Sequence, residues 1–453
     1  MPASSTSVRA FAVALATTAG TASAAQFDYT AYAGIEHSDN VNLSATNPIS
    51  QNTLTPGINF TFTQQGADIQ ANVAGTLEYR DYLGGAFDNQ TLAQLSGQVN
   101  WTVLPQRLDF TVQDFAAVEP LSTLSSNAPD NQQQTNVVSL GPTLHFRLGN
   151  TLRGQAELRY INSDASKTKQ FNSSRGEAAL RVFKDLNETD QLSGNIESQH
   201  VHFNNTTNGT AQGPGDLASN PDYSRNELFG RYTSKLAHFD IDAALGWSQI
   251  DFHAAPSASS ALFRMTLGWR PTPRNSFSIT AARQFSDAAE EMMLLPGQTL
   301  VGTDTSAPIT PVGPTGINTG NSVIDPQVYL DRRLEGTYTF TDERLTLSVS
   351  PLYSQLHYLN LPTFDQTSRG ASGGLNYRLG QRLSLQAFAD QQRLTYQSLA
   401  RRDKTTDYGL GLSEQRTPHW SWRLTLIHRQ RNSTVTAEGY RDNEIYFGVA
   451  YKR

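Results

Sequence analysis

Residues 344–350 read Arg344-Leu345-Thr346-Leu347-Ser348-Val349-Ser350, with polar and apolar side chains alternating one by one. Successive side chains of a strand point to opposite faces, so this stretch has one apolar and one polar face. The rhythm returns from Phe27 to Tyr451, in pairs of runs joined by very short turns and separated by longer polar loops. One apolar face carries Ile69, Ala71, Val73, Gly75, Leu77 and Tyr79; another carries Leu95, Gly97, Val99, Trp101 and Val103. Ser, Thr, Gln, Asn, Asp and Arg stand between such residues. Lipid satisfies no backbone polar group, so membrane strands of this kind must close on themselves. The expected fold is all-β: a single transmembrane antiparallel β-barrel of about 20 strands, within roughly 18 to 22, with short periplasmic turns and long extracellular loops.

Composition narrows the alternatives. No linker or composition shift divides the 453 residues, of which 38% are hydrophobic. No apolar run approaches the ~20 residues of a membrane helix, whereas a barrel strand needs only every second residue apolar. A net charge of −6 gives no case for a nucleic-acid partner. The absence of cysteine excludes disulfides, thiol catalysis, cysteine metal sites and a lipid-modified cysteine. Residues 1–24 read as a signal peptide: Arg9, the apolar run Phe11–Ala16, then Ala22-Ser23-Ala24 as a small-x-small cleavage site. The alternative is an Ala/Ser/Thr tail. The barrel is expected over 25–453.

Hairpin turns are expected near Gln64–Gly66, Pro105–Gln106, Gly149–Asn150, Asp185–Thr189, Ala237–His238, Pro271–Arg274, Thr341–Glu343, Gly380–Gln381 and Thr417–His419. Pro105 and Pro271 cannot continue a ladder, and Gly149 and Gly380 are expected to supply positive φ. Longer connections include Pro120–Gln134, Asn204–Pro221 and Ala289–Asp325. Aromatics gather near the short turns on the apolar face, at Phe62, Trp101, Phe146, Trp269, Phe340, Tyr377, Trp420, Trp422 and Tyr451, as a periplasmic girdle would. A β-sandwich or solenoid core is the competing reading. A solenoid keeps a fixed repeat length, and here the hairpin spacing drifts.

The segment Tyr32-Ala33-Gly34-Ile35-Glu36-His37-Ser38-Asp39-Asn40-Val41-Asn42-Leu43-Ser44, with Thr55-Pro56-Gly57-Ile58-Asn59 and the hairpin at Gln65-Gly66-Ala67, resembles the start of outer-membrane barrels associated with the exosortase and PEP-CTERM sorting system, near the EpsL-type barrels of exopolysaccharide operons. The resemblance implies a Gram-negative outer-membrane location and a link to polysaccharide or surface-matrix production. It implies no catalytic residues. Such barrels often end on an aromatic residue read by the assembly machinery; here Lys452 and Arg453 follow Tyr451.

Alternation turns Arg107, Arg147, Arg153, Arg270, Arg344, Arg378, Arg382 and Arg423 toward a lumen close to the short turns. Either they form a basic collar that favours anions, or Asp109, Glu157, Asp240 and Asp242 neutralise them. The long Ala289–Asp325 loop either folds inward, anchored by Met292, Met293, Leu294 and Leu295, or stays a surface loop. His200 and His202 are two apart on one strand face, as polar lumen filling or as part of a metal site. Asp39, Asn40 and Asn42 lack the spacing of a calcium loop and fit a turn at a strand end. No nucleophile elbow, phosphate loop or His-Glu-x-x-His is present. The expectation is therefore a non-enzymatic barrel without cofactor or metal. It is expected to be a passive channel in exopolysaccharide export, with lipid, polysaccharide and periplasmic export proteins as partners. A plugged surface barrel and a general diffusion porin are the alternatives.

Overall fold

A computed structural model describes residues 25–122, 124–204, 222–253, 255–293 and 327–453. The signal segment 1–24, Leu294, Leu295 and most of the long loop after Met293 lie outside the described residues. The rest forms one antiparallel sheet that closes when the first strand, Gln26–Ser38, pairs with the last, Tyr440–Lys452, from Thr30↔Lys452 to Ser38↔Glu444. Twenty-one strand segments make twenty staves. Gln51–Leu54 and Gly57–Gln65 are one stave interrupted at Thr55-Pro56, where proline offers no N–H. Register runs on across the gap, Tyr32↔Gly57 then Ile35↔Leu54. The gap keeps its hydrogen bonds: Thr55 N–H donates to Gly34 and the Pro56 carbonyl accepts from Tyr79, both at 2.9 Å.

All nine short turns fall where expected, on one end with both chain termini, and the long connections lie at the other. The expected glycine mechanism does not operate. Gly149 and Gly380 have no positive φ; among the short-turn residues it is Gln106 that takes it, at 61°. The two glycines instead donate their N–H back to the next strand, Gly149 to Leu152 and Gly380 to Leu383, each at 3.2 Å. This closes the turn without a left-handed residue.

The barrel is apolar outside and charged inside. On Tyr223–Lys235, Leu228 is 62% exposed while its neighbours Glu227 and Phe229 are 4% and 3% exposed. Such an inverted alternation is stable only with hydrocarbon around it. All nine girdle aromatics stand on the outer face at the short-turn end. Phe239, Trp269, Phe277 and Tyr338 stack across four strands there, with centroids 5.9, 5.2 and 4.7 Å apart. Trp422 Nε1 donates to Glu414 Oε2 at 2.8 Å. Where the barrel closes, the Tyr446 ring lies over Gly34 and Gly448; a Cβ on either would meet its hydroxyl within about 2.5 Å, so only glycine fits.

Ser38–Ser44 fastens this seam. Ser38 Oγ donates to Asp442 Oδ1 at 2.6 Å. Asn40 Nδ2 donates to the carbonyls of Arg441 (2.7 Å) and Ser44 (2.9 Å), and Asn40 Oδ1 accepts from Ser44 N–H at 3.0 Å. Asn42 spans the loop to Asn47 and Ile49 in the same way, at 2.9 Å each. Partial burial works to raise the Asp39 carboxyl, but two N–H donors of Asn443 outweigh it and hold Asp39 below its ordinary value. That contribution is present at neutral pH and fades as pH falls through the lowered value. These residues build a turn. Asn40→Ala strands buried polar groups and should lower the unfolding free energy by about 1–3 kcal/mol in urea titration of the refolded barrel. Asn42→Ala, at an exposed site, should cost less.

Candidate functional site

Period-two alternation sends Arg, Asp and Glu from neighbouring strands into the lumen, where arginine's fork reaches across staves. Arg181 lies between Glu157 and Glu197, donating to Glu197 at 2.8 Å; Arg159 also binds Glu157. Glu227 holds Arg264 at 2.9 Å and Arg225 at 3.6 Å, and Asp242 holds Arg231. Glu78 takes Arg80 and the Tyr32 hydroxyl, both at 2.8 Å. Between the strands Gln90–Leu104 and Leu108–Pro120 the contacts are uncharged: Gln113 donates to Gln98 at 3.0 Å and Thr111 to Asn100 at 2.9 Å.

Two segments enter this lumen from the long-loop end. The first follows the strand Asn275–Ser286. Its pairing with Ala258–Thr272 stops at Phe263↔Arg283, while pairing with Tyr329–Thr341 continues to Ser286↔Tyr329. The strand tip is thus detached on one side and continues into a helix, Ala288–Met293. Asp287 caps that helix, accepting from the N–H of Ala289 (3.0 Å) and Glu290 (3.1 Å). The same carboxylate accepts from Arg175 Nη1 and the Tyr223 hydroxyl, both at 2.6 Å. Glu290 takes Arg225 through two bonds of 2.8 and 2.5 Å. Glu291 takes Arg333 at 2.5 Å and the Tyr329 hydroxyl at 2.7 Å. Ala288 and Ala289, with Met292 and Met293 beside them, pack on Val137, Ile161, Ala165 and Phe171, several staves around the wall.

The second segment follows Leu108–Pro120. Pairing with Gln90–Leu104 stops at Leu95↔Ala116, and above it the Gln134 side chain fills the seam, donating to the carbonyls of Ala93 (2.7 Å) and Ala117 (2.9 Å). The chain then crosses the mouth. The Leu124 carbonyl accepts from Arg401 (2.6 Å) and Arg431 (3.2 Å), and the Ser125 carbonyl from Arg431 at 3.0 Å. Asp403 orients both arginines, at 2.9 and 2.6 Å. Between these segments and the wall remains a cavity of about 600 Å³, lined by seven carboxylates and four arginines. Four of those carboxylates, Glu36, Glu335, Asp390 and Asp407, have no ion-pair contact among the described residues. Asp390 and Asp407 are direct cross-strand partners.

The eight collar arginines do not share one height. Arg107, Arg344 and Arg382 sit in the turns and face solvent, and Arg147 and Arg378 end their strands exposed. Arg153 pairs with Asp185 at 2.7 Å and Arg270 with Asp240 at 2.5 Å. Arg382 donates to the Arg416 carbonyl at 3.2 Å. Arg423 alone stands within the wall, opposite Gly448. Of the four carboxylates expected to neutralise them, Asp240 does so. Asp109 bonds His145 at 2.9 Å, and Glu157 and Asp242 take other arginines.

His200 and His202 face outward, not into the lumen, because they share parity with the exposed Ile196. His200 contacts Ser224 at 3.0 Å and His202 contacts Asp222 at 2.6 Å. Met292 and Met293 pack inside the barrel, but the charged anchors Asp287, Glu290 and Glu291 went unread in the sequence. The signal for them is Asp287-x-x-Glu290, the spacing of a helix capping box.

No protein-family model and no curated protein sequence matches the chain. Solved structures similar to it include the FrpB iron transporter from Neisseria meningitidis (F3-3 variant), at 10% identity over 94% of this chain and 82% of that one, TM-score 0.44. A mutant form of the ferric enterobactin receptor PfeA of Pseudomonas aeruginosa is 9% identical over 96% and 81%, TM-score 0.47. OccAB3 of Acinetobacter baumannii is 11% identical over 95% and 99%, TM-score 0.42.

Proposed function

We propose that this protein is a non-enzymatic outer-membrane channel held closed by its own inward-folded segments. The observation that carries the reading is the helix Ala288–Met293, seated inside the barrel on Arg175, Arg225 and Arg333 from three different staves. A surface loop would not spend three carboxylates on lumen arginines. Short turns and termini face the periplasm in this reading, and the long loops face outward. The cargo is a polar polymer or solute, and the resemblance carried by residues within 32–67 favours an exopolysaccharide delivered by periplasmic partners. Export is passive through the barrel; the partners supply the driving force. Loss of extracellular polysaccharide in a deletion strain tests the cargo, and an unchanged matrix argues for a solute porin instead.

Selectivity follows the narrow part of the path, not the rim. The unpaired carboxylates of the cavity predict a preference for cations. Asp390→Asn with Asp407→Asn should move the reversal potential in a salt gradient toward anions. Arg344→Glu with Arg382→Glu, at the solvated rim, should move it far less. A larger shift from the rim pair would return selectivity to the arginine collar.

A further inference from the structure

On the outer face of the barrel, above the apolar belt, two rungs carry six cations; Arg283, opposite Arg332, is tied to Ser260 Oγ at 3.1 Å, which leaves five. Cross-strand partners share a face, and Arg369 is opposite Arg393, which is opposite Lys404. Tyr353 begins that rung opposite Arg369, whose guanidinium lies 5.4 Å from the ring centre. One rung farther from the short turns, Arg332 leads through Gln355, Thr367 and Thr395 to Arg402. The four arginines are exposed and Lys404 is half-buried.

This arrangement costs stability when nothing covers it. Neighbouring strands are about 4.8 Å apart, and like charges directly opposite each other repel. None of the five has a carboxylate partner among the described residues. Toward the short turns the same outer face becomes apolar: Ala371, Leu375 and Tyr377 on one stave, Tyr408, Leu410 and Leu412 two staves away. The cations therefore stand where hydrocarbon gives way to headgroups on the long-loop side. On the opposite wall the outward strand positions near the long loops hold Asn162, Asp164, Ser198, His200, Gln249 and Asp251, with no Arg or Lys among the described strand residues there; Lys167 and Lys169, in a loop at that end, are turned to the Gln132 and Ala165 carbonyls. A general need for interfacial anchors would not be confined to one side.

We propose that Arg332, Arg369, Arg393, Arg402 and Lys404 form a binding face for the phosphates of a lipid headgroup, a multiply phosphorylated glycolipid of the outer leaflet. Guanidinium forks bind phosphate oxygens in pairs, and the Thr, Gln and Tyr side chains between them supply further polar contacts to a sugar-phosphate. One phosphate can bridge two adjacent staves, but the cations extend over five staves, from Arg332 to Arg402 and Lys404, a width that two linked phosphates cover and a single free phosphate does not. Its acyl chains lie on the belt below. The inference rests on the outer-membrane reading.

The test is native mass spectrometry of the detergent-purified barrel with bisphosphorylated lipid A, monophosphoryl lipid A, phosphatidylethanolamine or inorganic phosphate. Lipid A should be retained preferentially. Its retention should fall at least about tenfold in Arg369→Gln/Arg393→Gln/Lys404→Gln and stay unchanged in a Gln249→Ala control on the far wall. Equal retention by the triple variant overturns the proposal, as does inorganic phosphate binding alone at the same residues. Should the triple variant not fold, the unaltered protein decides: equal retention of the bisphosphorylated and monophosphoryl lipids overturns it. Cell fractionation reads location separately. A barrel found in the outer membrane that ignores lipid phosphates sinks this inference alone, and one found elsewhere sinks the reading beneath it.

Discussion

Glu290→Ala combined with Glu291→Ala should convert a mostly closed channel into a mostly open one. Each substitution removes one half of an ion pair that fixes the helix Ala288–Met293 inside the lumen. Glu290 is 1% exposed and makes two bonds to Arg225. Breaking a buried pair by deleting one partner costs about 3–5 kcal/mol, mostly through the charge left behind. Here the stranded arginines belong to the wall, and water entering the lumen resolvates them once the helix leaves. The cost therefore falls on the docked state. What still favours docking is Asp287 on Arg175 and the Tyr223 hydroxyl, which hold the N-terminal end of the helix, and the contact of Ala288, Ala289, Met292 and Met293 with Val137, Ile161, Ala165 and Phe171. Partial burial of two methionines supplies at most about 3 kcal/mol, against the ordering entropy of the segment. Loss of both pairs should shift the docked–released equilibrium by roughly 100-fold or more. Single-channel recordings should show a several-fold rise in mean conductance. Met292→Ala alone should give a smaller rise, because it leaves every ion pair in place.

Arg181→Met should be among the most destabilising substitutions in the wall. Arg181 is 5% exposed and stands between Glu157 and Glu197. Its removal leaves two carboxylates facing each other across the lumen wall with Arg159 as the remaining cation on Glu157. The expected loss is about 3–5 kcal/mol in unfolding free energy, read by tryptophan fluorescence during urea unfolding in lipid vesicles. Adding Glu157→Gln and Glu197→Gln should recover a large part of it, since the cost lies in the unpaired charges. If the triple variant is no more stable than Arg181→Met, lost packing of the long side chain explains the effect instead. The outward Leu228→Ala control should cost far less, because hydrocarbon remains in contact with that site.

The strands and short turns were legible because their causes are local. Pro105 and Pro271 break ladders where they stand, and each alternating run states its own phase. Parity then assigned faces correctly wherever a long apolar residue marked the outside, as Leu245 and Trp247 do. His200 was misassigned because its strand shows the marker, Ile196, only once nearby. Height around the barrel was not legible. Arg107 and Arg423 share a parity rule, yet one lies in a turn and the other in the wall, since turn length and strand stagger are set jointly by all staves. The closing contacts were least legible of all. Arg175 and Asp287 are 112 residues apart, and Arg401 and Leu124 are 277 apart. No periodicity in either segment names its partner. The Ser38–Ser44 motif stood out in the sequence, but its work on Asp442 and Arg441 appears only once first and last strands meet.

The chain contains no cysteine, so a pair can be introduced cleanly. The most direct measurement is single-channel conductance of Ala289→Cys/Val137→Cys in the Glu290→Ala/Glu291→Ala background, joined by a short bismaleimide with a reducible link and then reduced. A channel closed by its own helix should hold low conductance while the link is intact and rise several-fold on reduction in the same bilayer. Identical conductance before and after reduction would contradict the account, leaving the helix as wall lining beside a path it does not close.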